Sequence, residues 1–136
     1  TAEPGSSAVF EAGFVTYADS IKHSVLGVDN TTLDTEGAVS EPVVRQMLSG
    51  ALAKSGADIG VAVSGIAGPD GGTEEKPVGT VWLAWGTADD MQTLQTMLAT
   101  DRTMFQKLVA AAGLDLIRRQ LLGLPKLPHY FSRRAI

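Results

Sequence analysis

The chain has 136 residues, of which 44% are hydrophobic and 19% charged, a composition that indicates one globular domain and excludes a disordered chain. It contains no cysteine and only two histidines, far apart in the sequence, which excludes a disulfide framework, a cysteine nucleophile and thiolate or His-rich metal sites. The formal net charge of −4, with no long basic run, argues against nucleic acid as a partner, and no apolar stretch reaches the roughly 18 residues of a membrane span. No signal peptide pattern is visible, so we expect a cytoplasmic protein.

Three elements are predicted in the first part of the chain. Residues Val9 to Tyr17 are rich in β-branched and aromatic side chains and predict a strand, in which Gly13 marks a bulge or a close backbone approach. A short helix is predicted from Asp19 to Leu26 and a second from Asn30 to Glu36, each ended by a glycine. Asn30 is the expected cap of the second helix.

The middle of the chain predicts a longer helix followed by strands. Ser40 is a good N-cap, and apolar residues then recur at helical spacing until Gly56 ends the helix. The apolar run Ile59 to Val63 predicts a buried strand, and Val78 to Trp85 predicts another. The pattern of residues Met91 to Leu98 is ambiguous, and we predict a strand there because the helix that begins at Asp101 needs a segment leading to it. Trp82 and Trp85 are three residues apart on one strand, so they should point to opposite faces and belong to the core or to an interface rather than to a base-stacking platform.

The last long element is a predicted helix from about Asp101 to Leu122, with Asp101 as its cap. Strands and helices alternate, which predicts an α/β fold, specifically a layered α/β/α domain with a mixed sheet. We assign residues 1–124 to this domain. Residues 125–136 begin with a proline-rich break and include Arg133 and Arg134, so we expect a C-terminal tail whose end lies outside the core.

The glycine-rich loop after the first buried strand is the strongest local feature. It reads Ser64-Gly65-Ile66-Ala67-Gly68-Pro69-Asp70-Gly71-Gly72-Thr73, which is neither a Walker A sequence nor a GxGxxG pattern. Glycines allow close backbone approach and point N–H groups at an anion, which favours phosphate or carboxylate binding. The alternative is a long hairpin connection that needs turn residues.

Single polar residues supply further candidates. Tyr17 and Lys22 flank a predicted strand-to-helix corner, which can bring a general base and a proton-relaying phenol over one pocket. The alternative is a solvated lysine and a half-buried tyrosine. Arg102 opens the last helix, where it would hold a phosphate or remain a surface charge. Ser40 is a helix cap or faces a ligand, and His23 is expected at the surface.

Several motifs together resemble the C-terminal domain of the CinA family, which includes bacterial nicotinamide-nucleotide amidohydrolases. The resemblance covers nearly all of residues 1–124. It is carried, in order, by Gly13-Phe14-Val15-Thr16-Tyr17, Lys22, Leu26-Gly27-Val28, residues 37–43, the glycine-rich loop and Glu75-Lys76-Pro77-Val78-Gly79-Thr80-Val81.

The resemblance implies an amidase that hydrolyses nicotinamide mononucleotide to nicotinic acid mononucleotide and ammonia, a step of pyridine nucleotide salvage. It implies a serine-lysine mechanism without metal or other cofactor, a small-molecule nucleotide as substrate, and a homo-oligomer. Tyr17 and Lys22 match the catalytic pair of the family. The implied substrate-binding residues are Thr16, Ser40, Gly65, Ile66, Ala67, Gly68 and Arg102.

The family's nucleophile segment, Ser-Cys-Thr-Gly-Gly and the helix after it, is absent between Glu3 and Pro4, and so is the strand that normally precedes Thr1. Ser6 and Ser7 match a later family motif and are not promoted to nucleophile. One interpretation is that the segment is present but too mobile to be seen, so that the nucleophilic serine lies in it. The other is a real deletion, which favours a non-catalytic nucleotide-binding or regulatory module linked to competence or DNA damage.

Overall fold

The computed structural model describes residues 1–132. Its elements in chain order are a 3₁₀ turn (Ser6–Ala8), α1 (Asp19–Leu26), α2 (Asn30–Glu36), α3 (Glu41–Ser55), β1 (Gly60–Gly65), β2 (Thr80–Gly86), β3 (Met91–Met97), α4 (Arg102–Leu121) and α5 (His129–Ser132). None of the helices in this part of the chain combines the length and apolar character that crossing a bilayer requires.

The three strands form one antiparallel sheet in the order β1-β2-β3. Val63 lies opposite Leu83 in the first pair, and Leu83 lies opposite Leu94 in the second. The predicted α/β class is confirmed. The expectation of a mixed sheet is wrong for residues 1–132, because consecutive strands joined directly by loops run antiparallel, whereas a parallel pair needs a crossover.

The sheet carries a hydrophobic core on each face. Ala62 and Ala84 pack with α3 in the first core, and Val81, Leu83 and Trp85 pack with α4 in the second. This division follows from the alternation of side chains along a strand. The prediction for the tryptophans is confirmed, since Trp82 packs against the first core and Trp85 is buried in the second.

The predicted strand from Val9 to Tyr17 is not formed. Within residues 1–132 the sheet consists of β1, β2 and β3 and this segment pairs with none of them, because β-propensity alone does not make a sheet. Val9 and Val15 are exposed, while Phe14 packs against the first core.

The helix boundaries agree closely with the sequence signals, although two caps differ. Asp29, not Asn30, occupies the N-cap position of α2. Ser40 is at the N-cap position of α3, but its hydroxyl donates to the Gly37 carbonyl, 2.8 Å away, instead of accepting from the helix. Asp101 caps α4 as predicted, accepting a hydrogen bond from the Met104 N–H at 3.0 Å.

The C-terminal residues pack on the domain as far as they are described. Pro128 is fully buried, and Phe131 packs against the second core. The Tyr130 hydroxyl donates to the Asp115 carboxylate of α4 at 2.8 Å. The expectation that the end of the chain lies outside the core is therefore wrong for these residues, because a proline-rich break ends a helix without preventing the chain from folding back. Arg133 and Arg134 lie outside the described residues.

Candidate functional site

A cleft of about 570 Å³ lies between the segment before α1, the end of β1 and the first turns of α4. Both helical layers contribute to it, through Met47 of α3 and Phe105 of α4. Its walls are largely apolar, and the polar groups Tyr17, Lys22 and Arg102 converge on it. This combination of apolar walls and a few polar groups is typical of small-molecule sites.

Lys22 lies one turn into α1, and only 8% of its side chain is exposed. Its Nζ donates to the Tyr17 carbonyl oxygen at 3.2 Å and to Asp19 Oδ1 at 3.1 Å. The ion pair with Asp19 offsets part of the cost of burying a charge. The alternative of a fully solvated lysine is therefore wrong.

Tyr17 and Arg102 meet across the cleft although they are far apart in sequence. The tyrosine is 82% exposed rather than half-buried, and its hydroxyl accepts a hydrogen bond from Arg102 Nη2 at 3.3 Å. Arg102 Nη1 donates to the Gly68 carbonyl oxygen at 3.0 Å. Arg102 thus joins the segment before α1 to the glycine-rich loop.

The glycine-rich loop contributes to the cleft through Gly65 and Ala67. A Cβ on Gly65 would lie 2.9 Å from the Phe105 ring, and Gly68 has a φ of +76°, so larger residues are excluded at both positions. Ile66 is held in the sheet instead, because its N–H donates to the Thr80 carbonyl at 2.8 Å. Its backbone donor is therefore not available to a ligand.

The loop is fastened at its far side by Lys76. The Lys76 ammonium donates to the carbonyl oxygen of Glu36, the last residue of α2, where the helix presents unpaired carbonyl groups. The Lys76 N–H also donates to Thr73 Oγ1 at 3.0 Å. The long connection between β1 and β2 is thus attached to α2, which lies on the same side of the sheet as α1 with Lys22. The loop can therefore be a hairpin connection and a binding surface at once, so the two predicted interpretations are compatible.

The remaining predicted residues are placed as follows. Thr16 lines the cleft, is buried, and its hydroxyl has no hydrogen-bond partner within residues 1–132. Ser40 is buried and does not line the cleft, although the preceding residues Ala38 and Val39 do. His23 is exposed, as expected, with Nδ1 2.8 Å from the Val28 carbonyl oxygen.

Ser64 is a polar residue of the cleft that was given no role of its own from the sequence. Ser64, at the end of β1, is buried on the cleft wall and donates its hydroxyl to the Ala38 carbonyl at 2.7 Å. The signal that could have found it is the strand alternation, which puts Ser64 on the same face as buried Ala62.

The chain runs directly from Glu3 to Pro4 and then enters the 3₁₀ turn. Ser6 is held there, its hydroxyl donating to the Glu3 carbonyl at 2.6 Å, and neither Ser6 nor Ser7 lines the cleft. The family's serine segment is therefore not part of the described residues 1–132, and which of the two interpretations holds stays a prediction.

The clearest pKa shifts are found away from the cleft, at the far end of α4. Hydrogen bonds from Arg119, and less strongly from Arg118 and Tyr130, lower the pKa of Asp115 to about 2. Burial, and next the hydrogen bond to Asp115, raise the pKa of Tyr130 to about 12. Within residues 1–132, no cluster of His, Asp and Glu is arranged to hold a metal ion.

Comparison with known proteins places this geometry in a family. The model of the CinA C-terminal domain matches residues 1–121. A CinA-like protein of Colwellia psychrerythraea is 53% identical over 131 residues, which are 96% of this chain but 30% of that protein. The nicotinamide-nucleotide amidohydrolase PncC of Escherichia coli K12 is 50% identical over 119 residues, which are 87% of this chain and 72% of that enzyme.

Solved structures of competence/damage-inducible proteins have the same fold as this chain. The competence damage-inducible protein A (ComA) of Klebsiella pneumoniae superposes with a TM-score of 0.80 at 40% identity, covering 84% of this chain and 71% of that one. The competence/damage inducible protein CihA of Agrobacterium tumefaciens gives a TM-score of 0.80 at 43% identity, covering 83% and 70%. The chain thus spans about 30% of the length of the CinA-like protein and about 70% of the amidohydrolase and of these structures.

Proposed function

The chain belongs to the CinA C-terminal domain family, and we propose that it is an amidohydrolase that converts nicotinamide mononucleotide to nicotinic acid mononucleotide and ammonia. The observation that carries this proposal is the meeting of Lys22, Tyr17 and Arg102 at one cleft. It is supported by relatives named nicotinamide-nucleotide amidohydrolase that are 47–50% identical over 85–87% of the chain.

Binding of the nucleotide phosphate is assigned to Arg102. Its two hydrogen bonds to the protein use only part of the five N–H donors of a guanidinium, which favours bidentate contacts to phosphate. Arg102 is also the first residue of α4, where the helix dipole favours an anion. With the phosphate there, the carboxamide extends towards Lys22. Thr16, Gly65 and Ala67 line the space between them.

Hydrolysis needs a hydroxyl, because the chain has no cysteine. Ser64 is the serine on the cleft wall, and we assign it the attacking Oγ. Lys22 acts in its amine form, after its ammonium has given a proton to the Asp19 carboxylate that it contacts. The amine accepts the Ser64 proton while Oγ bonds to the carboxamide carbon, and Tyr17 orients the transfer. The C–N bond then breaks as ammonia leaves with that proton. Water cleaves the resulting ester, which yields the acid and restores the serine.

A second candidate function is binding of the same nucleotide without hydrolysis. The observation that favours it is the direct link from Glu3 to Pro4, which removes the serine segment found in the family the sequence resembles. A cleft that retains Lys22, Tyr17 and Arg102 without a competent nucleophile would hold the nucleotide and not acylate. Such a chain would act as a sensor or regulatory module.

One experiment separates the two candidates. The purified chain is incubated with nicotinamide mononucleotide, ammonia and the acid product are quantified, and the melting temperature is recorded with and without the nucleotide. A ligand at about 100 times its Kd adds about 2.7 kcal/mol, or roughly 9 °C for a chain of this size. Product formation supports the amidase, and a shift without product supports the sensor. Neither product nor shift refutes both.

Variants then test the residue roles. Lys22→Ala should abolish turnover and leave the circular dichroism spectrum unchanged, while the matched Lys54→Ala, on the exposed side of α3, should retain turnover. Ser64→Ala should remove turnover and preserve nucleotide binding. Normal turnover in Ser64→Ala would contradict its assignment as the nucleophile but leave the amidase intact.

A further inference from the structure

Side chains from three parts of the chain hold the turn between α2 and α3. The carbonyl oxygens of Glu36, Gly37 and Ala38 are consecutive, and each accepts a hydrogen bond from a side chain. The donors, in the same order, are Lys76 of the glycine-rich loop, Ser40 at the start of α3 and Ser64 of β1. Residues 36–39, the α2–α3 turn, are therefore fixed by side chains rather than by the hydrogen bonds of a sheet.

Ser40 holds this turn instead of capping its own helix. A serine at an N-cap position normally accepts a hydrogen bond from an N–H group of the first helical turn. The Ser40 side chain accepts no such bond, and its hydroxyl donates to the Gly37 carbonyl at 2.8 Å in a buried position. The chain thus leaves α3 without a side-chain cap and has a fixed turn in its place, which points to a role of the turn beyond connecting two helices.

Lys76 holds the turn from outside the cleft, which it does not line. Its ammonium donates to the carbonyl of Glu36, the last residue of α2, where the helix dipole favours a cation. Lys76 forms no ion pair within residues 1–132, although Glu74 and Glu75 directly precede it in sequence. Gly37 leaves room for the ammonium, because a Cβ there would lie 3.3 Å from Nζ. The ammonium is therefore directed at the turn and not at a neighbouring carboxylate.

The α2–α3 turn forms part of the cleft wall. Ala38 and Val39 line the cleft, and so does Ser64, which donates to the Ala38 carbonyl at 2.7 Å. Because Lys76 and Ser64 bind carbonyl groups two residues apart, a shift of the turn at one of them changes its position at the other. Loss of the Lys76 hydrogen bond would therefore displace the wall without removing any atom that lines the cleft.

We propose that Lys76 is a positioning residue for the ligand of the cleft. It acts through the Glu36 carbonyl and the α2–α3 turn, which keep Ala38 and Val39 in contact with the ligand. This role rests on the proposed function, because the ligand is a nicotinamide nucleotide, but it holds for the amidase and for the sensor alike, since both bind that nucleotide. Lys76 makes no contact with the phosphate, which distinguishes its role from that of Arg102.

Calorimetry with two ligands tests this role. Lys76→Met should raise the Kd of nicotinamide mononucleotide and of nicotinamide riboside by the same factor, about tenfold, which is the order of one lost hydrogen bond from a charged donor. Lys76→Arg should restore both affinities to within about threefold of wild type, because a guanidinium also donates to a carbonyl. Lys54→Met is the matched control, since it removes an exposed cation from the last turn of α3, and it should bind both ligands like wild type.

Amide hydrogen exchange of the chain without ligand tests the hold on the turn directly. The Gly37 N–H donates to the Leu33 carbonyl at 3.0 Å, next to the carbonyl that Lys76 binds. In Lys76→Met the Gly37 amide should exchange at least about tenfold faster than in wild type, whereas the amides that join β2 to β3 should keep their rates. An equal acceleration of both sets would be a general loss of stability and would overturn the positioning role.

The outcomes separate this role from the proposed function. A loss of affinity confined to nicotinamide mononucleotide would overturn the positioning role, because Lys76 would then contact the phosphate. Unchanged affinities in Lys76→Met would also overturn it, and so would an unchanged exchange rate of the Gly37 amide. A wild-type chain that binds neither ligand would contradict the proposed function, and the Gly37 exchange rate would then decide whether Lys76 holds the turn.

Discussion

Two glycines inside helices provide a sharp test of how α1, and with it Lys22, is positioned. Gly50 lies in α3 where α1 ends against it. A Cβ on Gly50 would lie 2.7 Å from the Leu26 carbonyl carbon and closer still to its oxygen. Gly113 lies in α4, where a Cβ would come no closer than 3.3 Å to a Val61 methyl group. We therefore expect Gly50→Ala and Gly113→Ala to change the free energy of unfolding by amounts that differ in sign or in size.

The magnitudes follow from two opposing contributions. Replacing a helical glycine by alanine gains about 0.5–1 kcal/mol at either position. At Gly50 the obstacle is backbone, so α1 has to move by about an ångström, and overpacking of this kind costs typically about 1–3 kcal/mol, sometimes more. The expected net loss for Gly50→Ala is about 2 kcal/mol. Gly113→Ala needs only a small side-chain shift and should stay within about 1 kcal/mol of wild type.

Thermal and urea unfolding, followed by the fluorescence of buried Trp85, measure the difference. An unfolding entropy of about 2.1 cal/mol/K per residue turns 2 kcal/mol into a decrease of roughly 7 °C in Tm for a chain of this length. Gly50→Ala should also weaken nucleotide binding, because Lys22 moves with α1. A Gly50→Ala variant as stable as Gly113→Ala would refute the close approach of α1 and α3.

The remaining predictions concern α4. The pKa of Asp115, about 2 against an ordinary 3.8, gives stability that is present above the ordinary value and lost as pH falls through about 2. Between about pH 5 and pH 2 the wild type should therefore lose about 1–2 kcal/mol of unfolding free energy that Asp115→Asn lacks at any pH; solvent contact of the carboxylate keeps this loss below the full value of the pKa shift. The unfolding free energies of both proteins are measured by urea unfolding, and an equal decrease with acid in both would contradict this prediction. The pKa of Tyr130 is raised to about 12, so its contribution is complete below pH 10 and lost as pH rises through about 12; Tyr130→Phe should lack this alkaline loss. Arg102→Lys should weaken binding of nicotinamide mononucleotide about tenfold, as measured by calorimetry, and should leave the affinity for nicotinamide riboside, which has no phosphate, unchanged. An equal loss of affinity for both ligands would contradict the assignment of phosphate binding to Arg102.

Elements with local end signals were predictable from the sequence. The bounds of α1 and α2 are those predicted, because glycines with φ of +72° and +74° end both helices and no other residue type adopts that conformation as readily. The strand β2 was found through its partial alternation and its β-branched and aromatic composition, whereas β3 was predicted because the helix that begins at Asp101 needs a segment leading to it. The proximity of Tyr17 and Lys22 was also predictable, since they are separated by less than two helical turns.

Features that depend on distant partners were not predictable. Residues 9–17 have the composition of a strand, but a strand forms only by pairing with another strand, and within residues 1–132 this segment pairs with none. Pairing is not a local property of the sequence. The docking of Pro128 and Phe131 depends in the same way on surfaces formed elsewhere. The contact of Arg102 with Gly68 joins residues far apart in sequence, so only the fold reveals it.

The charges at the cleft support the proposal of a phosphorylated substrate over a neutral amide. Lys22 has its counter-ion in Asp19, whereas Arg102 has no ion pair within residues 1–132 and contacts only the neutral Gly68 carbonyl and Tyr17 hydroxyl. The chain as a whole carries a formal charge of −4, so an uncompensated guanidinium beside a helix N-terminus is a local positive site on an acidic protein. Such a site gains most from a dianionic group. The proposed substrate, a nicotinamide nucleotide, supplies that group at one end and an uncharged carboxamide at the other, on the side of Lys22, whose charge is paired with Asp19.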